Sequence, residues 1–303
     1  MPRRLERRGA WRGCTSAAIV AWAWIALPAA AAAQDAKAVV EAASKAIGAE
    51  GLTSITYSGS AAQGNFGQSR TISFGLASTA IRNYTRTFDF TRPASRATGE
   101  AIPPAVAGAP PQASRPYEQN VAPGDAAWSQ QLQIWVTPWG FLRGAAANGA
   151  TVRTRKVSDV PYKVVTWVPP QKAPSGQAYK VVGYINPENL VDRVETWVEH
   201  PVFGDMHVEF TYSDFRDVGG FQIPVRISEK RVGMETFVVA LAQARVNPQD
   251  LATLMTPTTA AGAAAATLAP APPPQTATSE RLADGVYRIT GGYVALAVEF
   301  RDH

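Results

Sequence analysis

Tyr184-Ile185-Asn186-Pro187-Glu188-Asn189-Leu190-Val191-Asp192-Arg193-Val194-Glu195 is the stretch on which the reading of this 303-residue chain turns. Pro187 presets the backbone at the second position of a tight turn, and Asn189 tolerates the left-handed region, so residues 186–189 reverse the chain. The flanks are rich in β-branched and aromatic residues, the types that fit a pleated, half-buried surface. The stretch is therefore a β-hairpin. The same device recurs at Asp217-Val218-Gly219-Gly220, between two further apolar runs.

Working outward, residues from Ile55 onward alternate with period two, broken by turn residues every dozen positions or so. Strands are expected at 54–61, 71–74, 84–92, 151–157, 163–168, 179–185, 190–199, 206–214, 223–231 and 235–245. Before them, residues 36–47 put Val39, Val40, Ala43 and Ile47 on one stripe at spacings of three and four, with Asp35 as N-cap and Gly48 as stop. Trp139-Gly140-Phe141-Leu142-Arg143 and the alanines after it suggest a second short helix. Residues 101–116, rich in Pro and Ala, read as an exposed excursion. The class is α+β, mainly β: one antiparallel sheet with one or two helices.

The chain opens with arginine-rich residues 2–12, an apolar run from Thr15 to Leu27, and alanines ending at Ala33. These are the three regions of a secretory signal peptide, cleaved after Ala33. The run is shorter than the ~20 residues that span a bilayer, so no transmembrane span is expected after cleavage. Arg3, Arg4, Arg7, Arg8 and Arg12 less Glu6 supply +4 of the formal +5, leaving a nearly neutral mature chain and no nucleic-acid partner. The single cysteine, Cys14, precedes the apolar run rather than ending it, which argues against lipid anchoring. Without it the mature chain has no thiol for a disulfide, a metal or a nucleophile.

Residues 252–278 are nearly all Ala, Pro and Thr, too poor in large apolar side chains to offset the entropy of ordering, and read as a linker. The expected organisation is thus signal peptide 1–33, main domain 34–251, linker 252–278 and a tail, 279–303, with strand patterning at 280–289 and 293–300. The pattern ends in mid-strand at Arg301-Asp302-His303. An isolated hairpin is marginal in water, so the tail is expected to begin a further domain.

Two resemblances carry further expectations. The N-terminal helix, the hairpin 184–195 and the run Phe210-Thr211-Tyr212-Ser213-Asp214-Phe215-Arg216-Asp217-Val218-Gly219-Gly220-Phe221-Gln222-Ile223-Pro224 make residues 35–250 resemble the outer-membrane lipoprotein-sorting (LolA-like) superfamily. That resemblance implies a curved antiparallel half-barrel covered by helices, followed here by the linker and a terminal β-hairpin. The tail, through Leu282-Ala283-Asp284-Gly285-Val286-Tyr287-Arg288-Ile289, is similar to the opening strands of metallo-β-lactamase-fold hydrolases. The family's His-x-His-x-Asp-His loop is not in the chain, and no ligand role passes to His303. The resemblance implies zinc in a C-terminal domain beyond residue 303 and no cofactor within this chain.

No residue is expected to be catalytic or to bind metal. His200 and His207 flank the turn at 201–204, where Asp205 or Glu209 could join them, but two histidines beside a surface turn are the plainer reading. Arg153, Arg155 and Lys156 read as a solvated strand edge that discourages strand addition. A half-barrel leaves a concave face able to hold a lipid or another apolar ligand. Most aromatics at alternating strand positions are core; Trp135, Trp139 and Phe141, outside the regular strands, are the expected ligand-binding residues. The first functional expectation is an exported accessory domain, periplasmic or secreted, at the start of a metal-dependent hydrolase. The alternatives are a periplasmic module that binds or carries a lipid or other apolar ligand, and a structural or docking module.

Overall fold

The computed structural model describes residues 23–64, 78–105, 110, 112–123, 128–200, 203–257, 276–291 and 294–300. The chain divides into two compact units, 1–266 and 267–303. In the first, helix α1 (Ala23–Ile47) leads into strands β1 (Ser54–Gly64), β2 (Ser78–Asp89), β3 (Ala94–Ile102) and β4 (Arg115–Val121). Helices α2 (Trp128–Trp135) and α3 (Pro138–Ala147) follow. Then come β5 (Thr151–Val157), β6 (Val160–Trp167), β7 (Val181–Ile185), β8 (Val191–His200), β9 (Gly204–Val218), β10 (Phe221–Arg231), β11 (Met234–Val246) and the short helix α4 (Leu251–Met255).

All eleven strands form one antiparallel sheet in the order β4-β3-β2-β1-β11-β10-β9-β8-β7-β6-β5. β4 and β5 remain edges, so the sheet is a half-barrel and does not close. Register shifts within β1, β2, β7 and β10 bend it, because an extra residue on one strand adds local curl. α1 and α3 lie over β5, β6, β8 and β10, while α2 and α4 approach β3. One continuous apolar core fills the space between helices and sheet. The expected basic residues Arg153, Arg155 and Lys156 are exposed on β5, an edge strand.

Several expectations need correction. The first helix starts at Ala23 and continues past Pro28 and through Asp35, the alanines at 29–33 being the strongest helix formers. Its buried stripe is Ala36, Val40, Ala43 and Ile47, with Val39 at the margin. The excursion at 101–116 shrinks between two unexpected strands, β3 and β4. β3 reads Ala-Ser-Arg-Ala-Thr-Gly-Glu-Ala-Ile, too small and polar to show a strand period, and gains its conformation from the neighbours on each side. The expected strand at 71–74 and most of the signal peptide lie outside the described residues. Helix α4 occupies the start of the expected linker, where the Leu254 carbonyl accepts a hydrogen bond from Arg96 at 3.0 Å.

The second unit is a three-stranded antiparallel sheet of β12 (Thr278–Ala283), β13 (Val286–Thr290) and β14 (Ala295–Val298). The expected single strand at 280–289 is itself a hairpin: Gly285 adopts φ of 69° and turns β12 into β13. No helix among the described residues is long and apolar enough to cross a membrane.

Candidate functional site

Helix α3 begins where the sequence can start one. The Thr137 hydroxyl accepts from the Gly140 amide at 3.0 Å and donates to the Ile134 carbonyl at 2.7 Å, and Pro138 fills the first helical turn. Two glycines seat the helix on the sheet. A methyl group at Gly183 on β7 would be driven into the Phe141 ring, and one at Gly144 on α3 into Trp167. Trp135 meets Trp167 edge-on, with centroids 5.7 Å apart. Phe141 is fully buried beside the same indole. Of the three aromatics singled out in the sequence, Trp135 and Phe141 thus gather at Trp167.

Trp139 lies elsewhere. With Val136, Thr137 and Pro138 it forms one wall of a cavity of about 770 Å³ between the α2–α3 turn and the face of β1, β2, β3, β4, β9, β10 and β11. Tyr212 ties the two sides together by donating from its hydroxyl to the Val136 carbonyl at 2.6 Å. Tyr57, Phe88, Phe210, Phe237, Ile227 and Val239 supply apolar lining.

The polar part of the lining is less ordinary. Asn83 takes φ of 51° inside β2, at the register shift between Arg82 and Thr85. Asn is a residue type that tolerates this region. After the shift, Tyr84, Arg86 and Phe88 are buried at every second position, and all three line the cavity. Arg86 is only 8% exposed. Its guanidinium donates to Gln119 Oε1 at 3.1 Å, Ser95 Oγ at 2.9 Å and Gln133 Oε1 at 2.9 Å, and lies 5.0 Å from the Phe88 ring centroid. All three acceptors are neutral. Arg86 Nε makes no well-formed hydrogen bond, nor does the hydroxyl of Tyr84, fully buried between Tyr117 and Phe237; the guanidinium nonetheless acts on that phenol, opposing the rise that burial causes.

Of the other charges in the lining, Arg115 is exposed at the rim and the two carboxylates are matched. Glu229 pairs with Arg231, and Glu118 pairs with Arg96 at 3.0 Å. Burial pushes the hydroxyls of Tyr57, Tyr84 and Tyr212 up from the ordinary tyrosine value, and Tyr117 up to about 12. The cavity therefore holds a permanent cation, since a guanidinium does not deprotonate in proteins, among phenols that stay neutral.

The two histidines are engaged locally. His200 Nδ1 accepts from the Phe203 amide at 3.3 Å, and His207 Nε2 lies 3.7 Å from Glu195. Among the described residues no three His, Cys, Asp or Glu side chains are grouped to hold a metal ion.

Solved structures offer two likenesses. The chain is similar to a LolA superfamily protein from Nitrosomonas europaea. The two share 13% identity at a TM-score of 0.43, over 73% of this chain and 97% of that one. It is also similar to a DUF1329 family protein from Desulfovibrio piger, with 9% identity and a TM-score of 0.39, over 70% of this chain and 93% of that one. No family model matches the chain, and no curated protein does.

Sequence reasoning missed Arg86, Tyr84, Gln119 and Gln133. The signal available was Tyr84-Thr85-Arg86-Thr87-Phe88, in which an arginine holds a position between two aromatics on one strand face.

Proposed function

We propose that this chain is an exported module of the bacterial envelope that binds or carries a lipid-like ligand in the half-barrel. The observation that carries this reading is the cavity itself. Its volume of about 770 Å³ falls within the usual range of small-molecule sites, and its apolar walls come with a few placed polar groups. The cavity follows β1 from Tyr57 to Gly64, a span of roughly 23 Å at about 3.3 Å per residue. That length suits an extended acyl chain. Trp139 belongs to this ligand wall, whereas Trp135 and Phe141 pack against Trp167 outside the cavity lining. The carrier reading is favoured over a hydrolase accessory domain because the cavity is a feature of the main domain, whereas the hydrolase reading rests on the resemblance of residues 280–303.

The test is a titration of the full chain with 1-N-phenylnaphthylamine, a neutral lipid-like fluorophore. Saturable enhancement is expected, displaced by oleate and weakened by Ala101→Phe, which puts a ring into the cavity. Val160→Ala, exposed and away from the cavity, should leave the titration unchanged. No saturable enhancement, or equal behaviour of the two variants, would remove the carrier reading.

A further inference from the structure

We infer that the inner end of the cavity is an anion subsite, and that the ligand is an amphiphile with a carboxylate or phosphate group, held head first by Arg86 and Tyr84. This deepens the carrier reading and rests on it.

Arg86 is the starting point. A buried guanidinium is costly to desolvate, and the cost is ordinarily offset by a carboxylate. Among the described residues no carboxylate lies within ion-pair distance of Arg86, and its three partners are a hydroxyl and two amide oxygens. One donor, Nε, is left over. The Tyr84 hydroxyl, two residues away on the same strand face, makes no well-formed hydrogen bond, and since the guanidinium that acts on it can only donate, its proton is a second unused buried donor. The two Cα atoms are thus roughly 7 Å apart, a separation that long side chains converge across onto one oxyanion.

The remaining charges do not compete for this role. Glu229 and Glu118 are taken by Arg231 and Arg96, so the lining lacks one negative charge at Arg86. An oxyanion there satisfies Nε, the Tyr84 hydroxyl and the charge together, in a place where charge-assisted hydrogen bonds are strongest. A purely structural role, holding Gln133 of α2 to the sheet, needs only a neutral donor and leaves the charge unexplained.

The position of Arg86 fixes the orientation. Arg86 stands opposite Tyr57, at the end of the cavity roofed by Trp139, whereas Gln63, Gly64, Thr79 and Arg115 mark the other end. The head therefore lies deep and the apolar body runs past Tyr84 and Phe237.

The test uses phenylnaphthylamine bound to the full chain, with oleate, oleyl alcohol, dodecyl phosphate and acetate as competitors. Oleate and dodecyl phosphate should displace the fluorophore at concentrations about tenfold or more below oleyl alcohol, the ratio expected of one hydrogen-bonded charge. Arg86→Gln should erase that preference, Arg86→Lys should keep part of it, and Tyr84→Phe should narrow it. Equal displacement by oleate and oleyl alcohol from the wild-type chain would overturn the subsite while leaving the carrier reading standing. So would a preference that survives Arg86→Gln but falls in Arg115→Gln at the rim. Acetate acting at the concentration of oleate would overturn the amphiphile in favour of a free small anion. Failure of every long-chain competitor would bring down the carrier reading itself. Should Arg86→Gln not fold, wild-type discrimination and Tyr84→Phe still decide.

Discussion

Arg86 and Gln119 stand on strands that are not neighbours, yet their side chains meet at 3.1 Å across the strand between them. The residue in that row on β3 is Ala97, paired with Arg86 on one side and Gln119 on the other, and fully buried. The bridge exists because nothing larger than a methyl group stands under it. Ala97→Leu would lift the guanidinium off Gln119 and intrude on the cavity floor. Overpacking of this kind costs about 1–3 kcal/mol. A lower urea midpoint and weaker phenylnaphthylamine binding are expected together; a variant unchanged in both would show that the row does not organise the cavity.

The Gly183–Phe141 contact makes a second, independent test of how the helix layer is seated. Any side chain at Gly183 meets the Phe141 ring face on, and both residues lie in well-packed surroundings. Gly183→Ala should lower stability by about 1–3 kcal/mol. Phe141→Leu alone should also destabilise, by loss of buried area. The double variant should cost less than the two single changes added, since the smaller side chain makes room for the methyl group, and strict additivity in a thermal unfolding series would contradict the contact.

Tyr212 links the sheet to the α2–α3 turn through a single hydroxyl, with Val136 O as its acceptor. Tyr212→Phe keeps the ring and leaves that carbonyl without its donor. The expected loss is about 1–3 kcal/mol, the cost of an unsatisfied buried group. Fluorophore binding should also weaken, because Val136 and Thr137 form part of the cavity wall. Guanidinium unfolding of the variant beside wild type reads the first effect, and titration at a denaturant-free condition reads the second.

Much of this fold was legible in the sequence, and the exceptions share a cause. Residues such as Val164, Val165, Tyr184 and Val194 announce their strands because sheet propensity and burial agree there. β3 does not, since Ala94, Ala97 and Ala101 are small for the sake of neighbours that only the folded sheet supplies. The site was partly legible: the aromatic pair flanking Arg86 is visible along one strand, and the concave face follows from the half-barrel. Its polar groups come from β2, β3, β4 and α2, separated by up to 47 residues, and no local spacing reports on them. The Asn83 bulge is the sharpest case, because one residue at positive φ decides which face of β2 enters the cavity.

The phenols give the pH behaviour. Tyr57, Tyr84 and Tyr212 are held above the ordinary tyrosine value of 10.0, first by burial, and Tyr117 rises to about 12 for the same leading reason. A raised value in the folded state means that folding favours the protonated phenol. Its contribution to stability is therefore complete below about pH 10, the unfolded value, and is lost as pH climbs from there through the folded values. Of the nine tyrosines in the chain, these four should stay silent at 295 nm when exposed phenols titrate. So should Tyr179, raised to about 12 by its hydrogen bond to Asp205, while Tyr162 and Tyr184 are raised chiefly by burial. The first four should ionise only at higher pH, together with loss of the near-ultraviolet circular dichroism of the packed core. The protein should accordingly lose stability steeply on the alkaline side, near pH 10 to 12. All nine phenols titrating as one population near pH 10, with the dichroism intact, would mean that the hydroxyls around Arg86 are open to water.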